Sequence, residues 1–187
     1  MGSICPCLRN DGMQLKSDAA SNSLVRLSEF KGPRCQASNF SIRGEGTCFG
    51  NSPLLQTRSY FDVKVIEKGE FCVGVGRRSR QDLDKHLNLR KNTWALTSGS
   101  SGGQFNVGDV IGCSYDLSQV RSSLQFYLNG ELIQNATIED IKGDVYPCVS
   151  VSGPALLEVN FGQTDFEYPP PPKFEGVIFS RDLISGS

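Results

Sequence analysis

From residue 24 onward, apolar and polar positions alternate with a period of two in one run after another. In residues 60–66, Phe61, Val63 and Val65 fall on one face while Asp62 and Lys64 fall on the other. In residues 155–161, Leu157, Val159 and Phe161 share a face opposite Glu158 and Asn160. This alternation predicts half-buried β-strands. Residues 71–75, 110–115 and 145–151 are more continuously apolar and predict strands buried more deeply. Leu124, Phe126 and Leu128 alternate with Gln125 and Tyr127 and run into Asn129-Gly130. Those two residues tolerate positive φ, as the two-residue type I′ turn of a hairpin requires. Glycines (20) and prolines (9) punctuate these runs at the intervals of an antiparallel fold. No segment sustains a helical period; short helical turns are expected near 79–87 and 138–141. Strands with one apolar face need a second sheet to cover them, so the expected fold is all-β, a two-sheet antiparallel β-sandwich. Residues 1–21 are rich in Ser, Asp and Gly without periodicity and are expected to form a flexible tail. Residues 22–187 are expected to form the domain.

Composition narrows the function classes. A length of 187 residues allows one core, and 38% apolar with 21% charged residues is ordinary for a globular protein. The net charge of -1 gives no global attraction to nucleic acid or anionic membrane. No apolar run approaches the roughly 18 residues of a transmembrane helix. The N-terminus lacks the basic and apolar regions of a secretion signal. The seven cysteines, Cys5, Cys7, Cys35, Cys48, Cys72, Cys113 and Cys148, are odd in number and irregularly spaced. The last three lie in strand-like runs, where Cys behaves as a small buried hydrophobe, and a reduced, intracellular protein fits best; a cytoplasmic monomer is expected. Cys5-x-Cys7 is not a zinc spacing and no second close pair follows, so neither metal nor cofactor is expected. The sequons at Asn39 and Asn135 are expected to be unused.

Three blocks in order carry a family likeness. The first is Tyr60-Phe61-Asp62-Val63 followed by Gly69-Glu70-Phe71-Cys72-Val73-Gly74-Val75-Gly76. The second runs from Gly108-Asp109 through Tyr115-Asp116 to Asn129-Gly130. The third runs from Tyr146-Pro147-Cys148-Val149-Ser150-Val151 to Asn160-Phe161-Gly162. Together they resemble the SPRY domain, with Phe71 where a Trp is common. The resemblance implies a concanavalin-like sandwich that binds partner proteins through loops at one end.

The candidate sites follow from both readings. Catalysis is not expected: the one histidine, His86, reads as a solvated loop residue, and no Gly-x-Ser-x-Gly elbow is present. Residues 77–91 carry Arg77, Arg78, Arg80, Lys85, Arg90 and Lys91 against Asp82 and Asp84, a local charge of +4. Two readings stand for this stretch, a solvated loop and a recognition loop whose guanidinium forks grip an acidic or phosphorylated peptide. Charge reversal at Arg77 and Arg78 is expected to abolish capture without lowering the melting temperature. By resemblance, Ser152-Gly153-Pro154 lies at the same end as that loop, where some SPRY domains place an apolar, Trp-containing turn, and Arg43 lies in another loop the family uses. The candidate partner-binding set is therefore Arg43, Arg77, Arg78, Ser152, Gly153 and Pro154. The partner is a protein or peptide, with no nucleic acid. An alternative function is a membrane-tethered scaffold: Gly2 offers a myristoylation position, with Cys5 and Cys7 near enough for palmitoylation, although Pro6 departs from the usual motif. Trp94, the one tryptophan, is expected to pack in the sandwich. The prolines of 169–172 are expected to carry the chain across it and deliver 177–179 as a last strand.

Overall fold

The computed structural model describes residues 24–99 and 104–180. Fourteen strands occur among them: β1 (Leu27–Lys31), β2 (Cys35–Ala37), β3 (Ser41–Gly44), β4 (Gly46–Gly50), β5 (Arg58–Glu67), β6 (Glu70–Gly76), β7 (Thr93–Thr97), β8 (Val110–Asp116), β9 (Ser123–Leu128), β10 (Glu131–Leu132), β11 (Ile138–Glu139), β12 (Tyr146–Ser152), β13 (Leu156–Asn160) and β14 (Glu175–Gly176). They form two sheets. Sheet A has the order β1-β4-β12-β6-β7. Sheet B has the order β10-β9-β8-β5-β13-β3-β2, with β11 beside β9 and β14 beside β5. All pairings are antiparallel except β14 on β5.

The period-two pattern decides what lies between the sheets. Phe61, Val63 and Val65 of β5 point inward with Ile111 and Cys113 of β8 and Leu157 and Val159 of β13. Sheet A answers with Phe71, Val73 and Val75 of β6 and Val149 and Val151 of β12. Each is at most 2% exposed, and full burial of such side chains contributes about 1.5–3 kcal/mol apiece. In β6 the alternate, outward positions are small (Cys72, Gly74, Gly76). Trp94 is half-buried on edge strand β7 and packs against this core.

The hairpin forms as its residues require. Asn129 and Gly130 have φ of 51° and 84°, and Leu128 pairs with Glu131 across the turn. The Asn129 side chain then ties two motifs together. Its Oδ1 accepts from the Val110 amide at 2.9 Å, and its Nδ2 donates to Asp109 Oδ1 at 3.0 Å.

Three local expectations need correction. Residues 138 and 139 form strand β11 rather than a helical turn, because their backbone pairs with Leu124 and Ser123. In residues 79–86 the chain makes turns, and the helical element that follows them is the 3-10 turn Leu87–Leu89. After the prolines, the strand is β14 (Glu175–Gly176) rather than 177–179. It fills the position beside Ser59 and Tyr60 that β13 leaves vacant, and the Val177 amide then donates to the Phe161 carbonyl at 2.7 Å.

Candidate functional site

The register of sheet A separates the proposed site residues. On the β12–β6 ladder, Ser152 faces Glu70 while Tyr146 faces Gly76. Arg77 leaves β6 at the Tyr146 end, and the Ser152-Gly153-Pro154 turn leaves β12 at the other. Six residues of strand put about 20 Å between them. The six residues therefore do not line one pocket. Arg43 is not in a loop either. It lies in β3, paired with Gln36 and Leu156, with its side chain exposed, and this puts it at the Ser152 end.

The basic segment 77–92 lies across the outer face of sheet A. Its 3-10 turn delivers Leu87, fully buried, onto Phe49, Cys72 and Cys148, with Phe30, Leu83, Ala95 and Tyr146 around them. Arg80 lies over the Phe30 ring at 5.6 Å, and two further arginines pack more deeply. Arg78 sits over the Tyr146 ring at 4.0 Å and the Phe30 ring at 5.4 Å, and donates to the Gly50 carbonyl. Arg90 is 8% exposed, lies 5.3 Å over Phe49 and donates to the Ser79 carbonyl at 2.9 Å. Burial pulls both guanidinium groups below their usual range, though arginine at that range stays charged. Arg77, Arg80, Lys85 and Lys91 remain exposed. Lys85 is held by Asp82 at 2.9 Å, and that carboxyl is lowered in turn by the hydrogen bond from Lys85. The expectation that reversing both Arg77 and Arg78 spares stability is thus revised: Arg78 belongs to the packing.

At the Ser152 end, four connections converge. The apex of the basic segment reaches β4, where the Thr47 amide donates to the Leu83 carbonyl at 2.8 Å and Thr47 Oγ1 donates to the Lys85 carbonyl at 2.7 Å. A Cβ at Gly32 or Gly46 would lie 2.4 or 2.7 Å from the Leu83 carbonyl oxygen, so the absence of side chains there admits the apex. Arg34 in the β1–β2 turn bridges Glu45 in the β3–β4 link at 2.9 Å. Gly46 pairs with Val151, which places the exposed Gly153 and Pro154 beside these loops. Gly153 has φ 63° with open space around it.

A family model described as the SPRY domain matches residues 58–164. The chain belongs to the SPRY domain family. SPRY domain-containing protein 7 of Gallus gallus is 31% identical over 156 residues, 76% of each chain, and that of Homo sapiens is 30% identical over the same share. Ran-binding protein 9 of Xenopus laevis is 28% identical over 124 residues, 58% of this chain and 22% of that one. Among solved structures, the SPRY domain of human HERC1 superposes with a TM-score of 0.56 at 20% identity, covering 74% of this chain and 99% of that one. A human SPRY domain gives 0.58 at 15% identity, covering 71% and 98%. These two show the shared fold.

In this SPRY domain His86 is not a solvated loop residue. It is half-buried, with Nδ1 3.3 Å from Ser150 Oγ and 3.8 Å from Cys72 Sγ, and its buried Nε2 has no partner among the described residues. Ser150 and Cys72 have no exposed surface, and Ser150 Oγ also accepts from the Leu87 amide at 3.1 Å, so the three clamp the 3-10 turn to the sheet. Gly2, Cys5 and Cys7 lie outside the described residues. Among those described, no helix is long and apolar enough to cross a membrane, and no group of three His, Cys, Asp or Glu is placed to hold a metal ion. Sequence reasoning missed a second feature, the pocket of about 440 Å³ on the outer face of sheet B, floored by Asp62. Its signal was Asp62 itself, a carboxylate between Phe61 and Val63 on a strand whose polar face turns out to be covered.

Proposed function

We propose that this SPRY domain is a non-enzymatic adaptor, monomeric and cytoplasmic, that takes an extended segment of a partner protein at the end formed by 32–34, 44–46, 83–85 and 152–154. The observation carrying this reading is the convergence of 32–34, 44–46 and 83–85, tied together by backbone hydrogen bonds, beside the exposed turn of Gly153 and Pro154. A preformed loop surface on a rigid sandwich binds with little rearrangement. Arg43 offers an exposed guanidinium on the adjoining strand, which suits a carboxylate on the partner. Arg77, at the far end, stands outside this surface.

The test is capture of a partner from native lysate by the full chain, followed by identification. Arg43→Glu with Pro154→Glu should abolish capture, since both side chains are exposed and the fold does not need them. Arg77→Glu should leave capture intact. The reverse pattern would overturn the loop-end assignment. The sequence offers a second reading, acylation at Gly2, Cys5 and Cys7 tethering the domain to membrane; Gly2→Ala would then release it from the membrane fraction.

A further inference from the structure

The outer face of sheet B carries a pocket that the proposed partner surface does not use. Its floor is Asp62 on β5, flanked across the sheet by Asn160 on β13 and Gly112 on β8. Its roof is the segment after β13. Asn160 holds that segment in shape by donating through Nδ2 to the carbonyls of Thr164 and Asp165 at 3.2 and 3.4 Å. Phe166 stacks edge-on against Tyr60 at 4.9 Å. Around the opening stand Glu158, Asp165 and Glu167, with Phe40 as an aromatic wall. The one ammonium at the pocket, Lys64, is engaged with Glu167 at 2.7 Å.

Asp62 is the anomaly. It is only 5% exposed, yet its carboxylate accepts no hydrogen bond among the described residues. Its carboxylate therefore meets only the pocket, and a largely buried carboxylate that lacks protein donors gains from a ligand or a proton there. Burial, then the nearby Glu167, pushes Asp62 up to about 7, against the opposing effect of Lys64.

We propose that this pocket receives the arginine side chain of a partner protein, with the guanidinium on Asp62 and the methylene stem along the apolar wall. With Glu167 engaged by Lys64, Glu158 and Asp165 at the opening and Asp62 on the floor select a cation. They are spread around the pocket rather than gathered, and no group of three is placed for a metal ion, which argues against a point charge such as a divalent ion. A planar guanidinium with five donors can address separated acceptors together, and it stacks on an aromatic ring. A volume of about 440 Å³ lies in the lower part of the range for small-ligand sites, roughly 300–1,000 Å³. This site is distinct from the loop end of sheet A and stands or falls independently of it.

The experiment is an NMR titration of the ¹⁵N-labelled full chain with capped Gly-Arg-Gly and, in parallel, its neutral isostere Gly-citrulline-Gly. The arginine peptide should give saturable shifts at the amides of Asp62, Glu158 and Asn160, and the citrulline peptide none there. Asp62→Asn, with its remaining spectrum unchanged, should weaken the arginine response at least tenfold. No saturable shift at these amides, an equal response to citrulline, or an undiminished response in the folded Asp62→Asn protein would overturn the assignment.

Discussion

Replacing Leu87 with Ala tests whether the basic segment is part of the folded body. Leu87 has no exposed surface and packs on Phe49, Cys72 and Cys148. Buried Leu→Ala changes cost about 2–5 kcal/mol, the spread reflecting how far the site can collapse. A surface-lying segment relaxes more than a central strand, so about 2.5 kcal/mol is expected, roughly a sixtyfold change in the unfolding equilibrium. In a domain of this size that lowers the melting temperature by about 5–10 °C. Hydrogen exchange gives the spatial readout. The Thr47 amide depends on the Leu83 carbonyl and the Leu87 amide on Ser150 Oγ, so both should exchange faster by a similar factor. Leu89, two residues on and 68% exposed, is the control: Leu89→Ala should stay within about 0.5 kcal/mol. A Leu87→Ala protein with unchanged stability and unchanged Thr47 protection would refute the docking of residues 77–92.

Arg78→Ala should cost about 1–2 kcal/mol in urea unfolding through loss of its Tyr146 and Phe30 contacts and its bond to Gly50, whereas Arg77→Ala should be nearly neutral; equal effects would contradict the packing role of Arg78. Asp62 is raised from 3.8 to about 7, so the native state keeps a proton that the unfolded chain has lost, and stability should fall as pH rises through that window and level off above it. The ceiling is about 4 kcal/mol and water in the pocket reduces it to about 2; urea midpoints measured below and above the window should show this slope in the wild type and not in Asp62→Asn. Burial pushes the Cys35 thiol up to about 11 and Cys48 up to about 12, and Cys113 and Cys148 well above the usual range. Mass-mapped alkylation of the native protein should therefore spare all four, and rapid labelling at any of them without unfolding would show that strand to be open.

The strands were legible because their signal is local. Alternation at Phe61, Val63 and Val65 marks a buried face whatever that face meets, and Asn129-Gly130 encodes its own turn geometry. The site was less legible because it depends on which ends of different strands coincide. Arg77 and Ser152 each adjoin a strand of the same ladder, but only the register of β6 against β12 reveals that they leave it at opposite ends. The burial of Leu87 was hidden for a similar reason: its partners Phe49 and Cys148 lie on the outward face of two other strands, and nothing within 77–92 names them. A weak trace existed in β6, where Cys72, Gly74 and Gly76 keep the outward positions small enough to be covered. Arg43 was misplaced because the family resemblance put it in a loop, whereas β3 runs through Gly44 and β4 begins at Gly46, leaving only Glu45 between them.

Both outer faces of this sandwich carry a cover, and the covers differ in sign. Residues 77–92 over sheet A expose Arg77, Arg80 and Lys91, while the segment over sheet B exposes Asp165 and Glu167 near Glu158. The sheets themselves stand about 10 Å apart, so the two outer surfaces are separated by more than the roughly 8 Å over which exposed charges are felt at physiological ionic strength. Each face therefore presents its own field, and the net charge of -1 conceals two opposite patches. It follows that overall charge is a poor guide to what this chain binds. Fields of opposite sign on the two covers would steer oppositely charged segments to different faces, and any such association should weaken with added salt even though the protein is nearly neutral. A partner bearing both kinds of segment could then address both faces at once, with the rigid sandwich fixing the span between them.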